Sequence, residues 1–195
     1  ALRNTGRGVF EGCTLLGSVK LTANTKLSRE MFARSGLRTV DIYETVEIPQ
    51  FCFADCARLT TVNIHNDLVT IGSGAFSRCP LLETVNILGK AESVGAQVFQ
   101  GCENLKKITL PNCAVTLGNA VFGDCKNLEE VAFGKDTVLK SIGTLFGGTK
   151  ITKFTVADGG IYSVSADGKL LLTDGGKTAV LAAVGAAFGE YTLPS

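Results

Sequence analysis

The stretch SVGAQVFQGCENLKKITL, residues Ser93–Leu110, decides the fold, because its pattern recurs along the chain. Its phenylalanine is one of a series, Phe10, Phe32, Phe53, Phe76, Phe99, Phe122 and Phe146, separated by 22, 21, 23, 23, 23 and 24 residues. A small or apolar residue precedes each one. Three residues after each come Cys13, Ser35, Cys56, Cys79, Cys102, Cys125 and Thr149, so five of the seven cysteines share one position of the unit. Leu16, Leu59, Leu82, Leu105 and Leu128 follow three residues later, and then apolar pairs from Val19/Leu21 to Phe154/Val156. Upstream of the phenylalanines, Ile71, Val94, Leu117 and Ile142 each precede a glycine: Gly72, Gly95, Gly118 and Gly143. Two units, ARSGLRTVDI (33–42) and GGTKITKFTV (147–156), drop one residue and the cysteine together, which points to a shorter turn.

A repeat of this length is the first thing to settle in a sequence, because it dictates the architecture. The alternation L-x-x-V-x-I is the period of a half-buried strand with valine and isoleucine facing in. One unit of about 23 residues cannot close a core. Stacked units can, each strand pairing with its neighbour about 4.8 Å away. The A-F-x-x-C stretch is too short for an independent helix and is expected to form one helical turn that seats the aromatic inside. The glycine after the upstream aliphatic residue is expected at a turn needing free φ.

The copies IGSGAFSRCPLLETVNI (71–87), VGAQVFQGCENLKKITLP (94–111) and LGNAVFGDCKNLEEVAF (117–133) resemble the BspA-like leucine-rich repeats of bacterial and some protozoan surface proteins. The resemblance covers roughly residues 2–157. It implies an α/β leucine-rich repeat right-handed solenoid, mainly β, with short helical turns and a parallel sheet on one face. A right-handed β-helix, with three strands per coil and no helical turn, is the alternative. The domain reading is seven repeats over 1–157, anchored by the phenylalanines, followed by 158–195. In that remainder, GGIYSVSADGKLLLTDGGKTAVLAAV resembles the non-repeat hairpin often interposed in such proteins. Asp167-Gly168 and Asp174-Gly175-Gly176 are its turn signals. Val184–Phe188 imitates the opening of a repeat without the cysteine or leucine that should follow. Tyr191–Ser195 looks like the strand opening a further repeat, and Leu2–Gly6 begins mid-unit, as expected of a piece of a longer protein.

Catalytic chemistry finds little material. His65 is the only histidine, so a Ser or Cys triad, a two-histidine metal site and an H-E-x-x-H helix all fail on count. No C-x-x-C pair occurs, and one thiol per coil is expected to form a ladder of buried small hydrophobes, with isolated disulfides between neighbouring rungs left open by the spacing. Cys113, in a turn after Pro111, is expected to be the most accessible thiol. Glu129-Glu130 and Asp41/Glu44 lack an aromatic pocket to raise a carboxyl pKa. Gly147-Gly148-Thr149-Lys150 lacks phosphate-loop spacing, neither Asp-Gly turn begins a calcium loop, and no N-x-[ST] sequon is present. The expectation is no enzyme, no cofactor and no metal.

Lys plus Arg is 19 and Asp plus Glu 18, leaving no basic field for nucleic acid or an anionic membrane. The longest apolar stretch, around Ala179–Ala187, is too short and glycine-broken for membrane insertion. No charged-then-apolar N-terminal signal is present, which fits a cytosolic segment or one already trimmed. Stacked free thiols suit a reducing compartment or an exported protein of an anaerobe, and the resemblance implies an extracellular or cell-surface location.

The remaining surface is the outward face of the strands. Its central column reads Lys20, Asp41, Asn63, Asn86, Thr109, Ala132, Thr155, flanked on one side by Ser18, Thr39, Thr61, Thr84, Lys107, Glu130, Lys153 and on the other by Thr22, Tyr43, His65 and Leu88. Adaptable polar groups beside an aromatic suit recognition, so Lys20, Asp41, Tyr43, Asn63, His65 and Asn86 form the candidate partner-binding face. The resemblance implies adhesion or protein–protein contact, with a protein or glycan partner, host extracellular matrix and other cell surfaces among the candidates. The competing reading is an architectural spacer within a larger surface protein.

Overall fold

The computed structural model describes residues 6–22, 25–141 and 144–183. Val184–Phe188 and Tyr191–Ser195 lie outside them, as do Ile142 and Gly143. The repeats run through twelve short strands: β1 (Ser18–Leu21), β2 (Thr39–Ile42), β3 (Glu47–Ile48), β4 (Thr61–Ile64), β5 (Leu68–Ile71), β6 (Thr84–Ile87), β7 (Ala91–Val94), β8 (Lys107–Thr109), β9 (Ala114–Leu117), β10 (Glu130–Phe133), β11 (Val138–Ser141) and β12 (Lys153–Val156).

The strands sort onto two sides of each coil. The expected L-x-x-V-x-I strands form the parallel sheets β1-β2-β4-β6 and β8-β10-β12, with β6 and β8 side by side on the same face. The register is the one the columns require: Val40 opposite Val62 opposite Val85, and Asp41 opposite Asn63 opposite Asn86. A second parallel sheet, β3-β5-β7-β9-β11, is built from the segments that end at the upstream aliphatic residues. Those segments, LVTI, AESV and AVTL, are too short and too mixed to announce themselves as strands. Pairing with neighbouring coils makes them so.

After the second strand the chain turns twice, once on each side of the phenylalanine, and here the expected helical turn does not form. Ala75 N–H donates to Gly72 O and Ser77 N–H to Gly74 O, but the intervening N–H groups reach across to the next coil: Gly74 to Ala96 O, Phe76 to Val98 O and Arg78 to Gln100 O. Two positions per coil sit at positive φ, the first at Gly8, Glu30, Phe51, Gly74, Gln97 and Ala120, the second at Gly12, Arg34, Asp55, Arg78, Gly101, Asp124 and Gly148. A helix cannot pass through left-handed residues. Linking N–H groups to the adjacent coil takes precedence over closing a helical turn within one.

The glycine expectation also needs correction. Gly72, Gly95 and Gly118 are absent from the positive-φ positions. A Cβ on Gly118 would lie 2.5 Å from Ala96 N and 2.7 Å from Gly95 C, and one on Gly72 2.6 Å from Gln50 N. Glycine is required there for close approach of the preceding coil.

Inside, the seven phenylalanine rings form one continuous stack, with successive centroids 5.2 to 5.8 Å apart and planes within 14° of parallel. This offset-stacked geometry is favourable for aromatic pairs. Beside it runs the thiol column. Cys56, Cys79, Cys102 and Cys125 are fully buried, and each Sγ donates to the phenylalanine carbonyl of an earlier coil: Phe32 at 3.2 Å, Phe53 at 3.3 Å, Phe76 at 3.3 Å and Phe99 at 3.0 Å. Cysteine thus fills a small apolar slot and supplies a weak donor to a carbonyl of another coil. All seven cysteines are free thiols. Cys113 is buried, its Sγ 3.6 Å from Ala91 O, and Cys13 is the exposed one, contrary to the expectation for Cys113.

The last coil is covered by an antiparallel three-stranded unit: β13 (Ser163–Val164), β14 (Leu170–Thr173) and β15 (Thr178–Ala182). Its turns fall on Gly168 and on the short 3₁₀ segment Asp174–Gly176, where the Asp-Gly signals lie. Leu171 and Ala183 join the solenoid core. Tyr162 packs edge-on to Phe133, and its hydroxyl accepts the Leu139 N–H on β11 at 2.9 Å.

Candidate recognition face

On β1, β2, β4 and β6 the valine and isoleucine side chains are consumed by the core, so the residues between them must point outward. Parallel in-register pairing then sets equivalent side chains of neighbouring coils beside one another. All six candidate residues meet in one network. Asn86 Nδ2 donates to Asn63 Oδ1 at 2.8 Å, and Asn63 Nδ2 donates to Asp41 Oδ1 at 2.9 Å. His65 Nε2 lies 3.4 Å from the same Asp41 oxygen. The His65 ring is stacked on Tyr43, centroids 4.1 Å apart and planes 3° from parallel. Lys20 Nζ sits 5.0 Å from the Tyr43 centroid, a cation–π distance.

Coil order puts Lys20 and His65 on opposite faces of the tyrosine. Both faces of that ring are therefore covered, and what the site offers to solvent is ring edges, amide groups and an ammonium. The Asp41 carboxylate is satisfied by one amide and positioned beside the imidazole, so the polar groups are held before any partner arrives, which lowers the ordering cost of binding.

Farther along the same face, Glu130 on β10 lies between Lys107 on β8 and Lys153 on β12, at 2.6 and 3.2 Å, and accepts the Thr155 hydroxyl at 3.0 Å. The hydrogen bond from Lys107, more than any other contact, holds the Glu130 carboxyl below the usual carboxylate range. These charges appear in the outward columns of the sequence, but only the register shows that they satisfy one another. Among the described residues no group of three or more His, Cys, Asp or Glu side chains could hold a metal ion, and no helix is long and apolar enough to cross a membrane.

Comparison with known proteins follows the fold. The profile of the BspA type leucine rich repeat region matches in six copies, over residues 1–48 and 46–166. Two crystal structures are similar. A leucine rich cell surface protein from Faecalibacterium prausnitzii A2-165 shares 18% identity at a TM-score of 0.49, over 86% of this chain and 45% of that one. A leucine-rich repeat protein from Bacteroides ovatus ATCC 8483 shares 17% identity at a TM-score of 0.37, over 80% of this chain and 64% of that one. The chain spans less than two thirds of either. No curated protein matches it. With the repeat profile matched across most of its length, on coils that share one phenylalanine stack and one thiol column, the chain belongs to the BspA type leucine rich repeat family.

Proposed function

We propose that the chain is a non-enzymatic, surface-displayed recognition module that grips a protein partner with the outward face of β1, β2, β4 and β6. The observation that carries this reading is the joining of Lys20, Asp41, Tyr43, Asn63, His65 and Asn86 into one half-exposed network across four coils. Polar side chains held in place beside an aromatic are what protein-binding surfaces use, and a solenoid presents them rigidly. Covered ring faces favour a hydrogen-bonding protein surface over a stacked glycan. Residues 1–157 are the recognition array in this reading, and 158–195 its closing element and the start of a further unit.

The test is a set of four variants, Tyr43→Ala, Asn63→Ala, His65→Ala and Asn86→Ala, screened against immobilised extracellular-matrix proteins and a glycan array, with circular dichroism to check folding. The expected result is protein binding by the parent chain and its loss in folded variants. Undiminished binding in all four would remove this face from the function. An architectural spacer would bind neither panel.

A further inference from the structure

A second surface lies on the turn edge, away from the sheet face. All seven arginines of the chain fall within residues 1–78, where only two of the lysines are found. Four of those arginines converge on the edge of the first four coils. Arg7 bonds Glu30 through Nε and Nη2 at 2.7 and 3.0 Å, and Arg78 bonds Asp55 through Nε and Nη2 at 2.6 and 2.7 Å. Arg34 pairs with Glu11, and Arg29 bridges Glu30 and Gln50 at 3.3 and 3.2 Å. The acids are recessed and the bases are not. Side chains of Glu30, Asp55 and Glu11 are 15, 27 and 33% exposed, against 67, 49, 56 and 60% for Arg7, Arg29, Arg34 and Arg78. A partner arriving from solvent therefore meets guanidinium groups, although the summed charge is small.

Between Arg34 and Arg78 lies a groove of about 260 Å³ lined also by Ala33, Ala54 and the Phe51 ring. The Arg29 guanidinium stands 5.4 Å from the centroid of that ring. Glu30, Arg34, Phe51, Asp55 and Arg78 all line this groove, and all five occupy the left-handed positions, with φ between 54° and 59°. The same positions of other coils hold Gly8, Gly12, Gly74, Gly101 and Gly148, and also Gln97, Ala120 and Asp124, so glycine is the commoner choice elsewhere. Left-handed backbone is adopted freely by glycine and reluctantly by residues carrying a Cβ. Strained backbone of this kind clusters where side chains serve a site.

We infer that this edge is a docking surface for an acidic segment of a partner protein, with an apolar side chain entering the Phe51 groove and carboxylates meeting the outer edges of Arg7, Arg34 and Arg78. Arginine matches planar carboxylates bidentately, and the recessed carboxylates beneath it hold the fork in place in advance. The bond from Arg7 lowers the Glu30 pKa, so that anchor stays ionised. Arginine and aromatic residues without lysine are the composition of interface centres. The apolar groove separates this surface from a plain anion track of the kind that holds a sulfated glycan.

The test uses the full chain and fluorescence anisotropy with a labelled peptide of glutamates and aspartates around one phenylalanine. Controls are the same peptide with glutamines and asparagines, and a heparin-derived oligosaccharide. The acidic peptide binds and weakens with added salt, as screened charge pairs do. Phe51→Gly and Arg78→Gln each reduce its affinity by about tenfold, the scale of one lost charged bond or buried anchor. Glycine suits the backbone at position 51, so that variant decides the matter if Arg78→Gln does not fold. His65→Ala leaves this binding unchanged, which keeps it distinct from the sheet face. Equal binding of the neutral peptide, indifference to Phe51→Gly, binding of the oligosaccharide alone or no binding of any probe would overturn the inference.

Discussion

Replacing Gly118 with alanine tests whether the repeat glycine is there for close approach or for backbone freedom. The new Cβ would sit 2.5 Å from Ala96 N, 2.7 Å from Gly95 C and 2.9 Å from Ala96 Cα, where ordinary contact begins at 3.4 Å. The coils anchored by Phe99 and Phe122 must therefore separate locally by about 0.9 Å, and Gly118 N–H bonds Val94 O in that same gap at 2.8 Å. Stretched to about 3.7 Å, that bond is lost. The loss costs about 1 kcal/mol and the overpacking a further 1–3 kcal/mol or so, giving roughly 2–4 kcal/mol. Gly101 is the control. It has φ of 73° and no atom within 3.5 Å of its ideal Cβ, so alanine there costs only the left-handed penalty, about 1–2 kcal/mol. Asparagine tolerates left-handed backbone and recovers part of that penalty at 101, while at 118 it is as damaging as alanine. Urea unfolding followed by circular dichroism measures all four variants. If alanine at 118 costs no more than at 101, or asparagine rescues 118, close approach is the wrong account.

The ring stack and the thiols give further predictions. Phe76→Ala, which opens a gap between two stacked neighbours, costs about 3–5 kcal/mol in the same unfolding assay. Six of the seven thiols are buried, and burial also pushes Cys52, Cys79 and Cys102 up and Cys125 to about 12, so an aromatic disulfide reagent at neutral pH labels Cys13 in the native chain and all seven cysteines in denaturant. Native labelling of several thiols would refute the sealed column. Glu130 has its pKa lowered in the folded state, so the stability it adds is complete above the unfolded carboxylate value and disappears as pH falls through the folded one. Glu130→Gln therefore flattens the acid limb of stability against pH, seen as a smaller change in urea midpoint from neutral to acidic buffer.

Much of this molecule is legible in its residues because one coil repeats. The phenylalanine spacing requires that the rings share an interior, and they stack; the alternation around Val62 and Ile64 requires a strand with Asn63 outward, and it is so. What escapes is whatever depends on the neighbouring coil. Segments such as AESV become strands only by pairing, Gly118 is fixed by Ala96 from another coil, and the Cys79 thiol donates to Phe53, 26 residues away. The turn at Ala75-Phe76 resembles a helix start in composition, but every second N–H there, those of Gly74, Phe76 and Arg78, is claimed by Ala96, Val98 and Gln100 instead. Choosing Tyr43 and His65 from their column was possible; their stacking, and the capture of Asp41 by Asn63, needed the register.

The hydrogen bonds that replace the helical turn bear on curvature. In a solenoid whose far side carries helices, those helices pack about 8–10 Å apart while the strands keep about 4.8 Å, and the mismatch bends the stack into an arc. Here Phe53 N–H reaches Ala75 O at 2.8 Å on the turn side, as closely as ladder bonds join the strands, and ring centroids step by only 5.2 to 5.8 Å. Neither flank is wider than the other by enough to force a horseshoe. A partner of the proposed recognition face would touch a line of successive coils and would not be cupped in a hollow.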